Sequence, residues 1–295
     1  MSYMNKLIHE IIDKFNEPCL DNSYTVITVT GSDKKKFLQG QLTNDIEKLE
    51  TNSSFHTSYC THQGKVIVNM QVLMDEDKVL ILLPMLRAQY FVDKISKYIL
   101  MSDVKFNINN EAIILSMIGD IALKTLDKYK VKDTYSFKKI NNSSYVVNMS
   151  KLYLDQCRVI FFSENKFEEI PYKKTNESYT CLIDLLGLMP RLRQEDIEKF
   201  IPQVLNSDKL NTVNYKKGCY TGQEIIARTH YLGNVKKHTY LISFNCTDSE
   251  ESNIINKDSE SVGELIGERF IYNGKVLSHC ILRDSCDFED LLIGC

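Results

Sequence analysis

The chain has 295 residues, 43% of them hydrophobic, enough for a large buried core and for more than one structural unit. Its 36 basic and 39 acidic residues leave a formal net charge of −3, so no global positive field exists to hold a polyanion, and direct nucleic-acid binding is not expected. No apolar stretch approaches the length that crosses a bilayer, and His9, Glu10 and Asp13 interrupt the N-terminal apolar pattern, so neither a membrane partner nor secretion is expected and the protein is read as cytoplasmic.

Met4, Leu7, Ile8, Ile11, Ile12 and Phe15 have helical spacing, and Pro18 ends the helix they predict. The alternating, β-branched run from Tyr24 to Thr30 predicts a strand, and Gly31-Ser32-Asp33 then turns and caps a helix that carries Phe37, Leu38 and Leu42 and stops near Asn44. Lys65 to Met74 and Lys78 to Leu83 predict two strands joined at Asp75-Glu76-Asp77, with a helix over them from Met85 to Leu100. A second α+β set follows, with strands at Ala112 to Met117, Tyr145 to Met149 and Arg158 to Phe162 and a helical pattern at Ile121 to Leu126. Polar linkers are expected around Asn141 to Ser144 and Lys173 to Ser178. From Lys236 the texture changes to short strands, Thr239 to Phe244, Glu264 to Tyr272 and Lys275 to Leu282, the last two joined by the hairpin signal Asn273-Gly274. The expected division is therefore 1–235, in two α+β units of 1–109 and 110–235, followed by a small all-β domain over 236–295.

The nine cysteines are scattered, without a C-x-x-C pair or a histidine at zinc-ligand spacing, so neither a disulfide framework nor a metal site is expected. One of them stands in the most informative stretch, Lys216-Lys217-Gly218-Cys219-Tyr220-Thr221-Gly222-Gln223-Glu224-Ile225-Ile226-Ala227-Arg228. Thr221 and Glu224 have the spacing of a capping box, predicting a helix from about Gly222 with Ile225, Thr229 and Leu232 inward and Glu224 paired with Arg228. A cysteine taken alone is most often a small buried hydrophobe. Here a helix start, two lysines and Arg228 favour a thiolate, and Gly218 and Gly222 leave the sulfur accessible, so Cys219 is the candidate reactive group. His62, His230 and His238 are candidate bases for it, although packed or surface histidines are the commoner case.

Lys217-Gly-Cys-Tyr-Thr-Gly-Gln-Glu-x-x-x-Arg228 resembles the signature of the YgfZ-type folate-binding proteins. Phe200-Ile-Pro-Gln203 resembles the block that precedes it, Val29 to Asp45 the opening block, and Gly64-Lys65 the turn before a strand, so the resemblance spans roughly Tyr24 to Leu282. It implies an α+β, aminomethyltransferase-like folate-binding fold of two α+β units with a small C-terminal β-barrel. In function it implies tetrahydrofolate, or another reduced folate, as the bound cofactor. It also implies support for iron–sulfur proteins and their assembly machinery, including enzymes that methylthiolate tRNA. By that alignment Tyr24, Tyr179 and Thr180 take positions where relatives place tryptophans against folate, and this chain has no tryptophan. Arg191 and Arg193 are candidates for the glutamate tail of folate, and Gln203 completes the expected folate set. Aminomethyltransferases carry a catalytic carboxylate on the strand after the glycine turn, where this chain has Val68 and Asn69. The expected function is accordingly an accessory one, with a folate-dependent one-carbon transferase as the alternative. A thiol oxidoreductase or cysteine hydrolase is disfavoured by the lack of a nearby resolving cysteine and of a recognisable Cys-His-Asn order.

Overall fold

The amphipathic opening forms α1 (Tyr3–Lys14), burying Leu7 and Ile11. This computed structural model describes residues 3–141, 144–149, 156–161, 177–245, 253–286 and 292–293, with 3, 156–161, 177–180 and 292–293 as backbone alone. After β1 (Cys19–Leu20) come β2 (Tyr24–Thr30), α2 (Lys34–Gln39), β3 (Ser54–Cys60), β4 (Val66–Met74), β5 (Val79–Pro84), α3 (Met85–Ile95) and β6 (Lys105–Asn109). Strands β2 to β6 make one antiparallel sheet in the order β3-β4-β5-β2-β6. Both of its faces are covered, which is why β4 is buried throughout, Asn69 and Gln71 included. On β5, Val79, Ile81 and Leu83 face α2 and α3, while Leu80 and Leu82 face a second sheet, as the two-residue period of a strand requires.

That second sheet takes β7 (Ile113–Ile118), β8 (Phe137–Asn141), β9 (Ser144–Asn148) and β10 (Gln156–Phe161), in the order β1-β7-β10-β9-β8, and α4 (Asp120–Tyr129) covers its outer face through Ala122 and Leu126. Tyr145, Val147 and Phe137 meet Tyr24, Val26 and Leu82 between the sheets, giving four layers, α-β-β-α. β1 precedes the first sheet in sequence yet pairs with β7 of the second.

Next come α5 (Glu177–Leu186), α6 (Ser207–Leu210) and α7 (Gln223–Leu232), and then β11 (Lys237–Asn245), β12 (Asn253–Ile255), β13 (Ser261–Tyr272), β14 (Lys275–Arg283) and β15 (Leu292–Ile293). These strands form a third antiparallel sheet, β11-β14-β13-β12-β15. Asn273 and Gly274 take φ of 47° and 72°, the left-handed pair of a tight β13–β14 hairpin, as their sequence predicts. No pairing among the described residues closes β11 onto β15, so the expected barrel is an open sheet. The α1 residues Leu7 and Ile11 and the α5 residues Leu182 and Leu186 pack with Phe270, Tyr272 and Leu277 of that sheet.

Two helices are shorter than their patterns suggest. α2 ends at Gln39 rather than near Asn44, because Leu42 bridges to Tyr59 and the Thr43 amide donates to the Ser58 carbonyl at 3.1 Å. α3 ends at Ile95, and Leu100 and Met101 lie exposed beyond it.

Candidate functional site

The signature segment sits between the first and third sheets, in a core of Cys60, Val66, Leu192, Tyr220, Ile226, Ile266 and Ile281. Gly222 starts α7 in the left-handed conformation, φ 83°, and its neighbour across the contact, Gly64, has φ 70°. A Cβ on Gly222 would lie 2.4 Å from the Thr61 carbonyl oxygen and 2.9 Å from the Gly64 Cα, so the helix start and the β3–β4 turn meet backbone to backbone. The expected capping box is absent: Gly222 is the cap, no side chain caps the helix, and Thr221 Oγ1 donates instead to Gln41 Oε1 at 3.3 Å. A left-handed cap leaves Thr221 one residue too early to reach the helix amides. The inner face is also shifted by one residue. Ile226 is fully buried, whereas Ile225 and Leu232 are 40% and 83% exposed. Glu224 and Arg228 are exposed, and no ion pair joins them among the described residues. Gln223 Nε2 donates to the Lys217 carbonyl at 3.3 Å, and Gln203 Nε2 to the Ile226 carbonyl at 2.8 Å. Gln203 is thus a brace for α7.

Lys217 is the surprise of the motif. Its side chain is buried, and its Nζ donates to the carbonyl oxygens of Gln39, Leu42 and Asn44 at 2.7, 2.7 and 2.8 Å, above the Tyr220 ring at 5.0 Å. Burial pushes its pKa down to about 8, against the pull of Asp45 and Glu47. The expectation that Lys217 supplies positive charge to the thiol is therefore corrected: its ammonium is spent on the opening block of the chain. That block and the signature meet again where the Thr221 amide donates to the Gly40 carbonyl at 3.2 Å.

Cys219 lies exposed on the loop between Lys217 and Gly222. Cys19, Cys60, Cys181 and Cys280 are buried and Cys286 is half-buried. Burial pushes the Cys60 thiol well up and those of Cys181 and Cys280 up to about 12. The side chain of Cys157 and all of Cys246 and Cys295 lie outside the described residues. The three candidate bases have other partners: His62 Nε2 lies 2.8 Å from Tyr98 Oη, His230 stacks on Tyr215, and His238 Nδ1 lies 2.6 Å from Asp284 Oδ1.

The expected folate residues divide between two places. Tyr24, Val68, Asn69 and Arg191 line one cleft between the first sheet and the 189–192 segment, with Pro84, Arg87, Met189 and Leu192. Arg191 is buried and committed, its Nε and Nη2 donating to Asp184 Oδ2 at 2.9 and 2.5 Å and its Nη1 to Glu268 Oε2 at 3.0 Å. Tyr24 Oη donates to Asp184 Oδ1 at 3.1 Å, beneath the guanidinium at 5.0 Å. Burial alone would push the Arg191 pKa down; Asp184, Tyr24 and Glu268 outweigh it and hold the pKa above its ordinary value. Arg193 is absent from the cleft lining and instead bonds Asp196 at 3.1 Å and the Leu265 carbonyl at 3.2 Å, bracing β13. Tyr179 and Thr180 lie in the first turn of α5, their side chains outside the described residues. Arg87 was not singled out from sequence, though a signal was there: it shares an i, i+4, i+8 stripe with the apolar Phe91 and Ile95, so a guanidinium had to be buried.

Asn69 Oδ1 accepts from Ser58 Oγ at 2.7 Å, and Val68 is apolar, so the strand offers an amide and no carboxylate at this point. Among the described residues no group of three His, Cys, Asp or Glu is placed to hold a metal ion, and no helix is long and apolar enough to cross a membrane.

No family model matches the chain. Its resemblance to YgfZ holds along most of its length. It is 27% identical over 263 residues to tRNA-modifying protein YgfZ of Aliivibrio fischeri (strain MJ11), covering 87% of this chain and 78% of the relative. The protein of the same name from Yersinia enterocolitica is 25% identical over 276 residues, 89% of this chain and 80% of that one. The structure of glycine cleavage system aminomethyltransferase T from Bartonella henselae superposes with a TM-score of 0.69 over 90% of this chain and 78% of that one, at 12% identity, a likeness of fold.

Proposed function

We propose that this chain, similar along most of its length to the YgfZ proteins, is a tetrahydrofolate-binding accessory protein that acts in tRNA modification by supporting iron–sulfur enzymes through Cys219. The observation that carries the reading is the exposure of Cys219 on a loop fixed from both sides, by the Lys217 ammonium and by the Gly222–Gly64 backbone contact. A thiol held in the open on a rigid support suits chemistry with a partner molecule. The name tRNA-modifying protein, shared by the relatives, supplies the process.

The residues of the Tyr24–Arg191 cleft fit a reduced folate in kind. Tyr24, Met189 and Pro190 give apolar surface for a flat ring, and the Asn69 amide and the buried Arg87 Nε, which has no hydrogen-bond partner among the described residues, give donors to its polar edge. The space among them is about 10 Å³, that of one water, so a pteridine requires the Met189–Leu192 segment to draw back. Bound folate would supply a one-carbon carrier. The chain's own residues orient it, and with Val68 and Asn69 in place of a carboxylate β4 offers no acid for glycine cleavage at this point. That supports the accessory reading, and turnover of a methylene or methyl donor is the measurement that separates it from a folate-dependent one-carbon transferase.

Two measurements test this. Calorimetry with tetrahydrofolate should give micromolar affinity or tighter, unchanged by Cys219→Ser and weakened by Asn69→Leu. Complementation of a strain lacking the protein should restore tRNA methylthiolation with wild type and fail with Cys219→Ser at matched expression. Full rescue by Cys219→Ser would remove the thiol from the mechanism.

A further inference from the structure

A second, larger cavity, of about 550 Å³, lies away from the Tyr24–Arg191 cleft and shares no residue with it. That volume falls in the range of small-molecule sites, about 300–1,000 Å³. Its walls come from distant parts of the chain. Phe55 and His56 of β3 and the Tyr135 ring form one side, and Tyr215, His230 and Tyr231 form the other. Tyr215 and His230 are stacked at 3.6 Å with an interplanar angle of 11°, and Tyr231 stands edge-on to His230 at 4.9 Å. A wall of three rings is thereby held rigid, while His230 and Tyr231 stay exposed, Tyr231 at 62%.

The polar part of the lining is equally selective. Besides the ring polar atoms of His56, His230 and the tyrosines, it consists of side-chain amides and one lysine, Lys216, with no carboxylate among the lining residues. Asn214 Oδ1 accepts from the Lys216 amide at 2.9 Å, which fixes that side chain with its NH₂ as the remaining donor. Asn211 lends its backbone carbonyl to Asn44 Nδ2 at 2.9 Å, and its own amide group makes no hydrogen bond among the described residues. Rings for stacking, amides that both donate and accept, and a single cation match a planar heteroaromatic base that carries phosphate. They match a folate less well, since its two carboxylates would meet one lysine. We propose that this cavity is a nucleotide site: a base, free or unstacked from a single RNA strand, lies against Tyr231 and His230, its edge read by Asn211 and Asn214 and its phosphate met by Lys216.

A net charge of −3 is no obstacle here, because one base held by stacking needs no global field. Lys216 also adjoins the signature loop, two residues before Gly218 and three before Cys219, so an occupant would lie beside the thiol segment.

The test is equilibrium binding of AMP, GMP, a short single-stranded oligoribonucleotide and tetrahydrofolate to wild type, Tyr231→Ala and Lys216→Ala. Both variants alter exposed side chains, and their thermal melting should match wild type. Saturable binding of a monophosphate or the oligonucleotide is expected, weakened about tenfold or more by Tyr231→Ala, as loss of one stacking partner implies. Lys216→Ala should weaken it as well and flatten its salt dependence. Equal affinities for monophosphate and oligonucleotide assign a free nucleotide, and at least tenfold tighter oligonucleotide binding assigns RNA; either supports the site. No binding at millimolar nucleotide, binding indifferent to both substitutions, or tetrahydrofolate binding that is lost in Tyr231→Ala would overturn it.

Discussion

The Lys217 ammonium donates to the Leu42 carbonyl at 2.7 Å, and with its bonds to Gln39 and Asn44 it closes the loop after α2 onto the signature segment. Lys217→Met removes three charge-assisted bonds and leaves buried carbonyls without a donor, so it should cost about 3 kcal/mol in chemical denaturation. Lys217→Arg should recover little of this, because a planar fork does not converge on three carbonyls as an ammonium does. A loss under about 1 kcal/mol for Lys217→Met would show the contact to be incidental.

The two glycines of the signature should respond in opposite ways. Gly222→Ala places a methyl 2.4 Å from the Thr61 carbonyl oxygen at a φ of 83°, and a loss of about 3 kcal/mol is expected. Gly218→Ala meets nothing within 4 Å among the described residues and should be neutral in stability. Thermal melting of the two variants side by side decides it.

Cys219 should be the first described cysteine to react. At neutral pH, brief iodoacetamide treatment followed by peptide mapping should find it labelled while Cys60, Cys181 and Cys280 stay intact until the protein is unfolded. The reason is access together with the raised pKa values of the buried thiols. Earlier labelling of any of those three would contradict the packing described.

His279 gives the fold an acid limit. It is fully buried under α5, its Nε2 lies 3.0 Å from the Leu185 carbonyl, and burial pushes its pKa down from 6.5 to about 4. Between those values the unfolded chain binds a proton that the folded chain refuses, so this contribution is complete above pH 6.5 and is lost as pH falls toward 4. The shift corresponds to about 3 kcal/mol. His279→Gln should show a flatter unfolding free energy over that window than wild type, and parallel profiles would refute the assignment.

Much of the layered fold is written in local patterns. The alternation of Tyr24 to Thr30 and the Asn273-Gly274 turn each specify their own geometry, and both were legible for that reason. β1 was not, because two residues carry no period and its identity comes from pairing with β7, almost a hundred positions away. The same distinction runs through the site. The prominence of Cys219 could be read from its neighbours, whereas the burial of Lys217 depends on carbonyls that only the fold brings to it. The capping box failed because Gly222 adopts a left-handed φ to let Gly64 approach, a tertiary demand that overrides the local Thr221–Glu224 signal.

The bond from Lys217 to Gln39 spans 178 positions of sequence, which sets an order of events during synthesis. At about 5–20 residues per second, a ribosome needs roughly 10 to 35 s to make the chain between them. Through that interval the sheet built from residues 24 to 109 can pair its strands, but the carbonyls after α2 await their cation. The thiol loop can therefore take its final shape only after the residues of the N-terminal sheet have been made, and their strands have had time to pair before Cys219 emerges.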